Sequence, residues 1–585
     1  MVRLPPLVLA AAAIAALSAC ATPEAPGRGA ATTLVEGHGP GDASVYGLYL
    51  AGQAALDAGD TRSAADLFGR ASERTPDAGY LKSRVFTAAL LSGDVVRAAA
   101  IAPVDPVDPG ERILGVLARS VEAMAEGRGE AAYQELTRVG QVSRGEAAVG
   151  LLKPWAAAAA GRTEASLTMP ALEDRLTRLV ASIGQGLLME RAHRYGEAET
   201  NFKALLSDRA GRALLAAAYG PFLERRGRRQ EAIALYDQVL ATLPEDAELV
   251  IARARAAARG AAPPPPTPRE GAAQALMVPA AVVLADKQQE VGLIYLRLAL
   301  RLDPAQPEAW LLVGDALSGL SDTAGARAAF AQVGPRSGHY VDARTRLAWS
   351  YQADDKDTAL KIAQETVQQR PESQEAKLTL ADLLRADDRF AESARMLDPV
   401  IAAAGAHAEW RLYYMRGVAL ERAGRWPEAE RDLQQALTIH PDQPEVLNYL
   451  GYSWVNRGVR VKDGLAMIQK ALDAQPDEGA YVDSLGWAYF RLGDYKQAVA
   501  LLERAATLDA GDAEINDHLG DAYWRAGRRD EAQFQWRGVL TMNPPADIKV
   551  RVEIKLASSL GVDAVARPVE SAPPDPPKPQ TVAAK

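Results

Sequence analysis

The chain of 585 residues contains one cysteine, six histidines and few aromatic residues, which make up 6% of the sequence. A single thiol has no partner within the chain, so we expect no internal disulfide. The histidines lie far apart, and we find no His-Glu-x-x-His pair, no phosphate-binding glycine loop before a Lys-Ser/Thr pair and no Gly-x-Ser-x-Gly motif. We therefore predict no catalytic residue, no metal site, no bound cofactor and no enzymatic activity.

An excess of positive charge and a second long apolar run are also missing. The formal net charge is −9, and an acidic chain is repelled by the phosphates of nucleic acids. We therefore predict no nucleic-acid partner. Beyond the N-terminus, no apolar run approaches the length of about 20 residues that spans a bilayer.

The first twenty residues have the features of an export signal. Arg3 precedes a short apolar run from Leu4 to Ala16, which is followed by Leu17-Ser18-Ala19-Cys20. These last four residues resemble the lipobox of bacterial lipoproteins, in which the chain is cut before a cysteine that carries acyl chains. We expect a lipoprotein signal peptide at residues 1–19 and lipidation of Cys20. A plain secretory signal with an unmodified cysteine is the alternative.

Three windows near the C-terminal end repeat one pattern. They span residues 447–476, 481–510 and 515–544, and their shared glycines Gly451, Gly486 and Gly520 are spaced by 35 and then 34 residues. Gly417 extends the series by 34 residues upstream. A fixed period in this range is typical of a chain built from one small helical unit used many times.

Within one unit, small and large residues alternate at helical spacing. Gly486 and Ala498 are small where two helices cross, and Leu502 fills the space beside them. Gly493-Asp494 permits the tight reversal between the two helices. This pattern resembles the tetratricopeptide repeat (TPR). The resemblance implies an all-α fold, a TPR α-solenoid in which antiparallel helix pairs form a superhelix.

Composition divides the chain further. Residues 20–42 are rich in Ala, Thr, Gly and Pro and should form a flexible tether. We assign 43–258 to N-terminal TPR-like repeats, 259–271 to a proline-rich linker and 272–560 to a C-terminal TPR array. The linker is an inter-repeat loop, a joint between two solenoid segments or an insertion without a role. Residues 561–585 are proline-rich and should be disordered.

The resemblance also implies a binding face, because the first helix of each unit lines the concave surface of such arrays. In the last three units we expect its exposed, partner-binding residues to be Asn448, Tyr452, Asn456, Asp483, Trp487, Arg491, Asp517, Asp521, Trp524 and Arg525. Their amide, carboxylate, aromatic and guanidinium groups suit an extended peptide. The alternative is a solvated helix face with intrahelical ion pairs. We expect Trp454 and Trp536 to lie in the core.

The order of lipobox, tether and long repeat array resembles the TPR lipoproteins of Gram-negative outer membranes. This resemblance implies a scaffold that is anchored in the outer membrane by acyl chains on Cys20, faces the periplasm and binds other envelope proteins. Some such lipoproteins are adaptors that deliver cell-wall hydrolases to carboxyl-terminal processing proteases, which are therefore the expected partners. The alternative is a pilotin-like assembly factor for pilus, secretion or polysaccharide export machinery, although known pilotins of this repeat type are shorter.

Replacing the single cysteine tests the lipoprotein assignment. We expect Cys20→Ala to leave an uncut, unacylated precursor that is no longer anchored through lipid, because the thiol that carries the acyl chains is gone. Metabolic labelling with a fatty acid and membrane fractionation, with the unaltered chain in parallel, measure this. Continued acyl labelling of the variant would contradict the assignment.

Overall fold

The computed structural model describes residues 44–103, 109–139, 147–208 and 211–557. The expected signal peptide, the tether with Cys20 and the tail at 561–585 lie outside these ranges. Within them the chain forms helices and no strand, which confirms the all-α class. None of the described helices is long and apolar enough to cross a membrane.

The described helices fall into two compact units, divided between Ser373 and Gln374. The first unit contains α1 Val45–Asp57, α2 Thr61–Arg74, α3 Gly79–Ser92, α4 Val95–Ile101, α5 Pro109–Ala125, α6 Gly129–Val139, α7 Ala147–Ala159, α8 Thr163–Ser166, α9 Arg175–Arg191, α10 Tyr195–Leu205, α11 Arg212–Arg225, α12 Arg229–Leu240, α13 Ala247–Ala257, α14 Pro268–Ala285, α15 Gln289–Leu302, α16 Pro307–Gly319, α17 Thr323–Phe330, α18 Tyr340–Tyr351 and α19 Lys356–Gln369.

The second unit contains α20 Gln374–Ala386, α21 Phe390–Ala404, a 3-10 turn at Gly405–His407, α22 Trp410–Arg422, α23 Trp426–Ile439, α24 Pro444–Arg457, α25 Val461–Ala474, α26 Gly479–Arg491, α27 Tyr495–Leu508, α28 Ala513–Arg525, α29 Arg529–Thr541 and α30 Ala546–Ala557. Consecutive helices pack as hairpins, and in α24–α30 the first helix of each hairpin also contacts the first helix of the next.

Glycine followed by aspartate makes the reversal within several hairpins. Gly93 and Gly493 adopt left-handed conformations with φ of 86° and 84°, which cost glycine little. The following Asp94 and Asp494 cap the next helices, each accepting a hydrogen bond from the main-chain N–H three residues on, at 3.0 and 3.1 Å. The reversal predicted at Gly493-Asp494 is confirmed.

The helices of a hairpin cross where one of them has no side chain. A Cβ at Gly486 would lie 2.8 Å from Leu502 Cγ, and one at Gly520 would lie 2.3 Å from Trp536 Nε1. Large side chains of the second helix therefore fill the space that glycine leaves. Trp454 and Trp536 are buried, as the sequence predicted.

Two irregular regions depart from the repeat. The 151–184 stretch contains the end of α7, with Pro154 inside that helix, the four-residue α8 and the start of α9. Gly451 and Gly464 are 13 residues apart, one more than the 12 that separate Gly486 from Ala498. Helix α25 is nevertheless continuous, and Arg460 just before it is left-handed at φ 47°. The Arg460 guanidinium lies 3.9 Å from the centre of the Trp454 ring.

The first unit contains packing that a simple succession of repeats does not produce. Helix α14 packs on α7 and α9, and α15 packs on α3, α4 and α5. A Cβ at Gly271 would lie 2.2 Å from the Trp155 ring. Arg301 forms a two-pronged ion pair with Glu122, at 2.7 and 2.9 Å. Contacts between residues distant in sequence therefore hold the helices of this unit together.

The proline-rich segment lies inside the first compact unit. Main-chain carbonyls of Gly260, Pro263 and Pro266 accept hydrogen bonds from arginines of α12, α11 and α9. Proline carbonyls are good acceptors because no paired strand or helix uses them. The segment therefore connects α13 to α14 along the ends of earlier helices.

The crossing glycine allows a stability test. We expect Gly520→Ala to lower the free energy of unfolding by about 1–3 kcal/mol, because its methyl group would overlap the fully buried Trp536 ring. Urea denaturation followed by circular dichroism measures the change. Gly538→Ala in α29 is the matched control, since no atom lies within 4 Å of the added Cβ and alanine favours helix by about 1 kcal/mol. Equal losses at both positions would contradict the crossing argument.

Candidate functional site

Side chains at equivalent positions of successive first helices form a row across the second unit. The pairs Asn448/Tyr452, Asp483/Trp487, Asp517/Asp521 and Arg551/Lys555 lie on α24, α26, α28 and α30, spaced by 34 or 35 residues. Each of these helices contacts the next, and between α28 and α30 Asp517 and Asp521 contact their counterparts Arg551 and Lys555. We call these eight residues the inner row.

The ten predicted residues are less exposed than expected. The prediction of an exposed face is wrong for Asp483, Trp487, Asp517, Asp521 and Trp524, which are buried. Asn448, Tyr452, Arg491 and Arg525 are partly buried, and Asn456 is exposed. The physical reason is that neighbouring first helices cover one another, and α30 covers α28. A partner-binding role for these residues remains a prediction.

A buried histidine joins α26 to α28. His518 Nδ1 lies 3.0 Å from both carboxylate oxygens of Asp483. Its ring stacks on Trp487 with centroids 4.0 Å apart, and Trp487 stacks in turn on Phe490 at 4.7 Å. Tyr452 of α24 lies 6.4 Å from the His518 ring. Three first helices therefore meet around this imidazole.

The environment of His518 favours its charged form. Burial by itself lowers the pKa of the imidazole, but the adjacent Asp483 carboxylate, with Glu514 and Asp517 nearby, more than offsets it and raises the pKa to about 9. His518 is therefore an imidazolium at neutral pH and donates its Nδ1 proton to Asp483.

The row ends in a buried set of charges between α28 and α30. Lys555 Nζ lies 2.7 Å from Asp517 Oδ1 and 2.6 Å from Asp521 Oδ1, and Arg551 Nε lies 2.7 Å from Asp517 Oδ2. Burial and the neighbouring Asp517 raise the pKa of Asp521 to about 6, although Lys555 opposes this shift. The two lysine contacts satisfy charges that would be costly to bury alone.

The other end of the row contains polar atoms without partners. Among the described residues, Asn448 Oδ1, Trp487 Nε1 and Arg491 Nε are buried and make no hydrogen bond. Arg491 still donates from Nη1 to the main-chain oxygen and Oδ1 of Asn456, at 2.8 and 3.1 Å. Burial lowers the pKa of Arg491. An unpaired buried donor or acceptor costs free energy.

Trp524 belongs to the core side of α28. Its ring centroid lies 5.6 Å from that of Trp536, and the Arg529 guanidinium lies 4.9 Å from its centre. Replacing Trp487 and Trp524 together would therefore remove core packing as well as any contact with a partner.

Sequence reasoning assigned no role to His518 and did not identify Arg551 and Lys555. His518 directly follows Asp517 on α28, but it contacts Asp483 of α26 whereas Asp517 contacts α30. Arg551 and Lys555 fall after the last recognised unit, but they continue the 34-residue spacing from Asp517 and Asp521. Extending the 34-residue period by one more helix is the signal that could have identified Arg551 and Lys555.

Comparisons with known proteins agree with this architecture. A tetratricopeptide-repeat family model matches residues 268–543, and a second matches residues 220–250. The chain thus contains tetratricopeptide repeats over these residues, and repeats of this type are typical of protein–protein interaction scaffolds. The curated TPR repeat-containing protein PA4667 of Pseudomonas aeruginosa is 33% identical over 94 residues, which cover 16% of this chain and 16% of that protein.

Solved structures match the chain at low identity and with low TM-scores. The TPR protein TTC0263 of Thermus thermophilus is 20% identical, with 32% of this chain and all of that one covered, at a TM-score of 0.29. MamA from Desulfovibrio magneticus RS-1 is 17% identical over 32% of this chain and 94% of that one, at 0.24. The Cut9–Hcn1 structure of the APC/C is 13% identical over 88% and 96%, at 0.35.

The charged histidine makes stability depend on pH. Because its pKa is above the usual unfolded value near 6.5, the stabilisation by His518 is complete below about pH 6.5 and is lost as pH rises through about 9. We expect a loss on the order of 2 kcal/mol in the free energy of unfolding between these limits. Urea denaturation at a series of pH values measures it.

Two histidine variants control this measurement. His518→Gln should flatten the pH dependence between pH 6.5 and 9, whereas His407→Gln, which alters an exposed residue of the 3-10 turn, should leave it unchanged. An unaltered profile in the His518 variant would show that this imidazole is not the source.

Proposed function

We propose that this protein is a scaffold that is anchored through acyl chains on Cys20, faces the periplasm from the outer membrane and binds partner proteins on the exposed residues beside the inner row. The TPR architecture supports the binding role, since its units offer a continuous face and no enclosed reaction centre. The lipobox-like ending at Cys20 supports the anchor. We propose no catalytic activity for the chain itself.

The observation that carries the binding proposal is the polar edge that α24 and α26 leave open to solvent. Asn456 is exposed on α24, and the Arg491 guanidinium of α26 donates from Nη1 to the main-chain oxygen and to Oδ1 of Asn456. An extended peptide presents carbonyl oxygens and amide protons along its main chain, which suit an exposed amide side chain such as that of Asn456.

The partners that we propose are envelope proteins. A lipobox, a tether and a long repeat array resemble the adaptors of carboxyl-terminal processing proteases, so we propose that the chain delivers cell-wall hydrolases to such a protease. A scaffold of this kind holds two proteins at once, which raises the effective concentration of one for the other. The length of the repeat array, with two compact units, supports the use of separate faces for protease and substrate.

Site-directed cross-linking tests where the partner binds. A photo-reactive amino acid replaces Asn456, which is exposed beside the unpaired atoms, or Gln469, which is exposed on α25, the second helix of its hairpin. We expect cross-linked partners from Asn456 and few from Gln469 when intact envelopes are irradiated. Mass spectrometry of the products identifies the partner.

The identity of the captured protein separates the finer alternatives. A processing protease or a cell-wall hydrolase supports the adaptor function. Capture of a secretin or a pilus subunit would instead support the assembly-factor function. Equal capture from both positions would contradict the choice of binding face.

A further inference from the structure

Helix α30 is attached to the preceding hairpin by a face that alternates apolar and basic residues. Ile548, Arg551, Val552 and Lys555 follow the spacing of one helix face. Ile548 and Val552 are buried in the apolar cluster that contains Trp536 and Val539. The opposite face is open, with Val550 and Ile554 each 54% exposed.

The basic residues of this face contact an acidic and aromatic surface of the preceding hairpin. Lys555 is 3% exposed, contacts Asp517 and Asp521 at 2.7 and 2.6 Å, and lies 5.7 Å from the centre of the Trp536 ring. Arg551 adds the second contact to Asp517. We call the surface formed by Asp517, Asp521 and Trp536 the α30 seat. It combines two carboxylates with an aromatic wall, which together suit an ammonium group.

The connection before α30 is short and stiff. Asn543 is left-handed at φ 56°, and Pro544 and Pro545 follow it. A left-handed asparagine costs some free energy. The two prolines restrict the backbone conformations of the segment that leads into α30, whether the helix is packed or released. A rigid connection favours movement of α30 as one body.

The energy that holds α30 is modest for a helix of this length. Two apolar side chains are buried and Leu556 packs partly buried beside them, and buried ion pairs contribute little net stability, because desolvation offsets their attraction. Segments with few buried apolar contacts open before the rest of a protein. Another helix with the same face could therefore compete for the seat.

We infer that the α30 seat is a binding site for an amphipathic helix bearing basic residues, and that α30 occupies this site within the chain until a partner's helix of the same pattern displaces it. The occupant is defined by α30 itself: apolar residues alternating with an arginine and a lysine four residues apart, which is the spacing of helix-in-groove anchors. This inference rests on the proposed function, because it names the chemistry of one partner for that scaffold.

A capped, fluorescent peptide of residues 546–557 is the probe. In the full chain, Arg551→Glu with Lys555→Glu should release α30, because both new carboxylates face Asp517 and Asp521. We expect fluorescence anisotropy to give a Kd for the peptide at least tenfold lower for this variant than for the unaltered chain. A peptide with glutamate at both basic positions is the matched control and should not bind.

Folding is checked by circular dichroism, and a second measurement needs no variant. Hydrogen exchange of the unaltered chain should be faster in α30 than in α28 and should increase in α30 when excess peptide is added. A folded charge-reversed variant that does not bind the peptide would overturn the inference, as would exchange in α30 as slow as in α28. Cross-linking from Asn456 would be unaffected by either failure, so the scaffold proposal is tested separately.

Discussion

The structure depends on close contact between paired helices at a residue without a side chain. At Gly520 the backbone of α28 lies against the Trp536 ring, and at Gly486 the backbone of α26 lies against Leu502. This contact fixes how the two helices cross and buries large side chains of the second helix. Because it recurs every 34 or 35 residues, each hairpin of α24–α29 presents the same surface to the next, and the inner row follows from that repetition.

Regular stacking explains why charged groups are buried between the first helices of the second unit. Successive first helices lie side by side, so a carboxylate on one helix reaches a basic group on the next. Asp483 meets His518, and Asp517 meets Arg551 and Lys555. Removing one member would leave the other buried and unpaired, which costs more than the pair contributes. The charges therefore specify which helices are neighbours more than they add stability.

The prediction of the fold from the sequence was good where a signal is local. The period, the Gly493-Asp494 reversal and the burial of Trp454 and Trp536 all depend on residues within one unit. The prediction of the candidate site was weaker. Periodicity places Trp487 and Asp517 on equivalent faces of their two helices. It carries no information about what covers those faces, so five of the ten residues were wrongly expected to be exposed. The packing of α14 and α15 on earlier helices also has no signature within a 34-residue window.

The sequence by itself determined the helical unit, its repeat length and the small residues that let two helices touch, because each is encoded among residues a few turns apart. The tertiary structure alone decided which polar groups are paired, buried or left without a partner. Glu122 meets Arg301 across 179 residues, and Asp517 meets Lys555 only after the chain has completed another hairpin. Such contacts depend on the path of the whole backbone, so no stretch of sequence contains them.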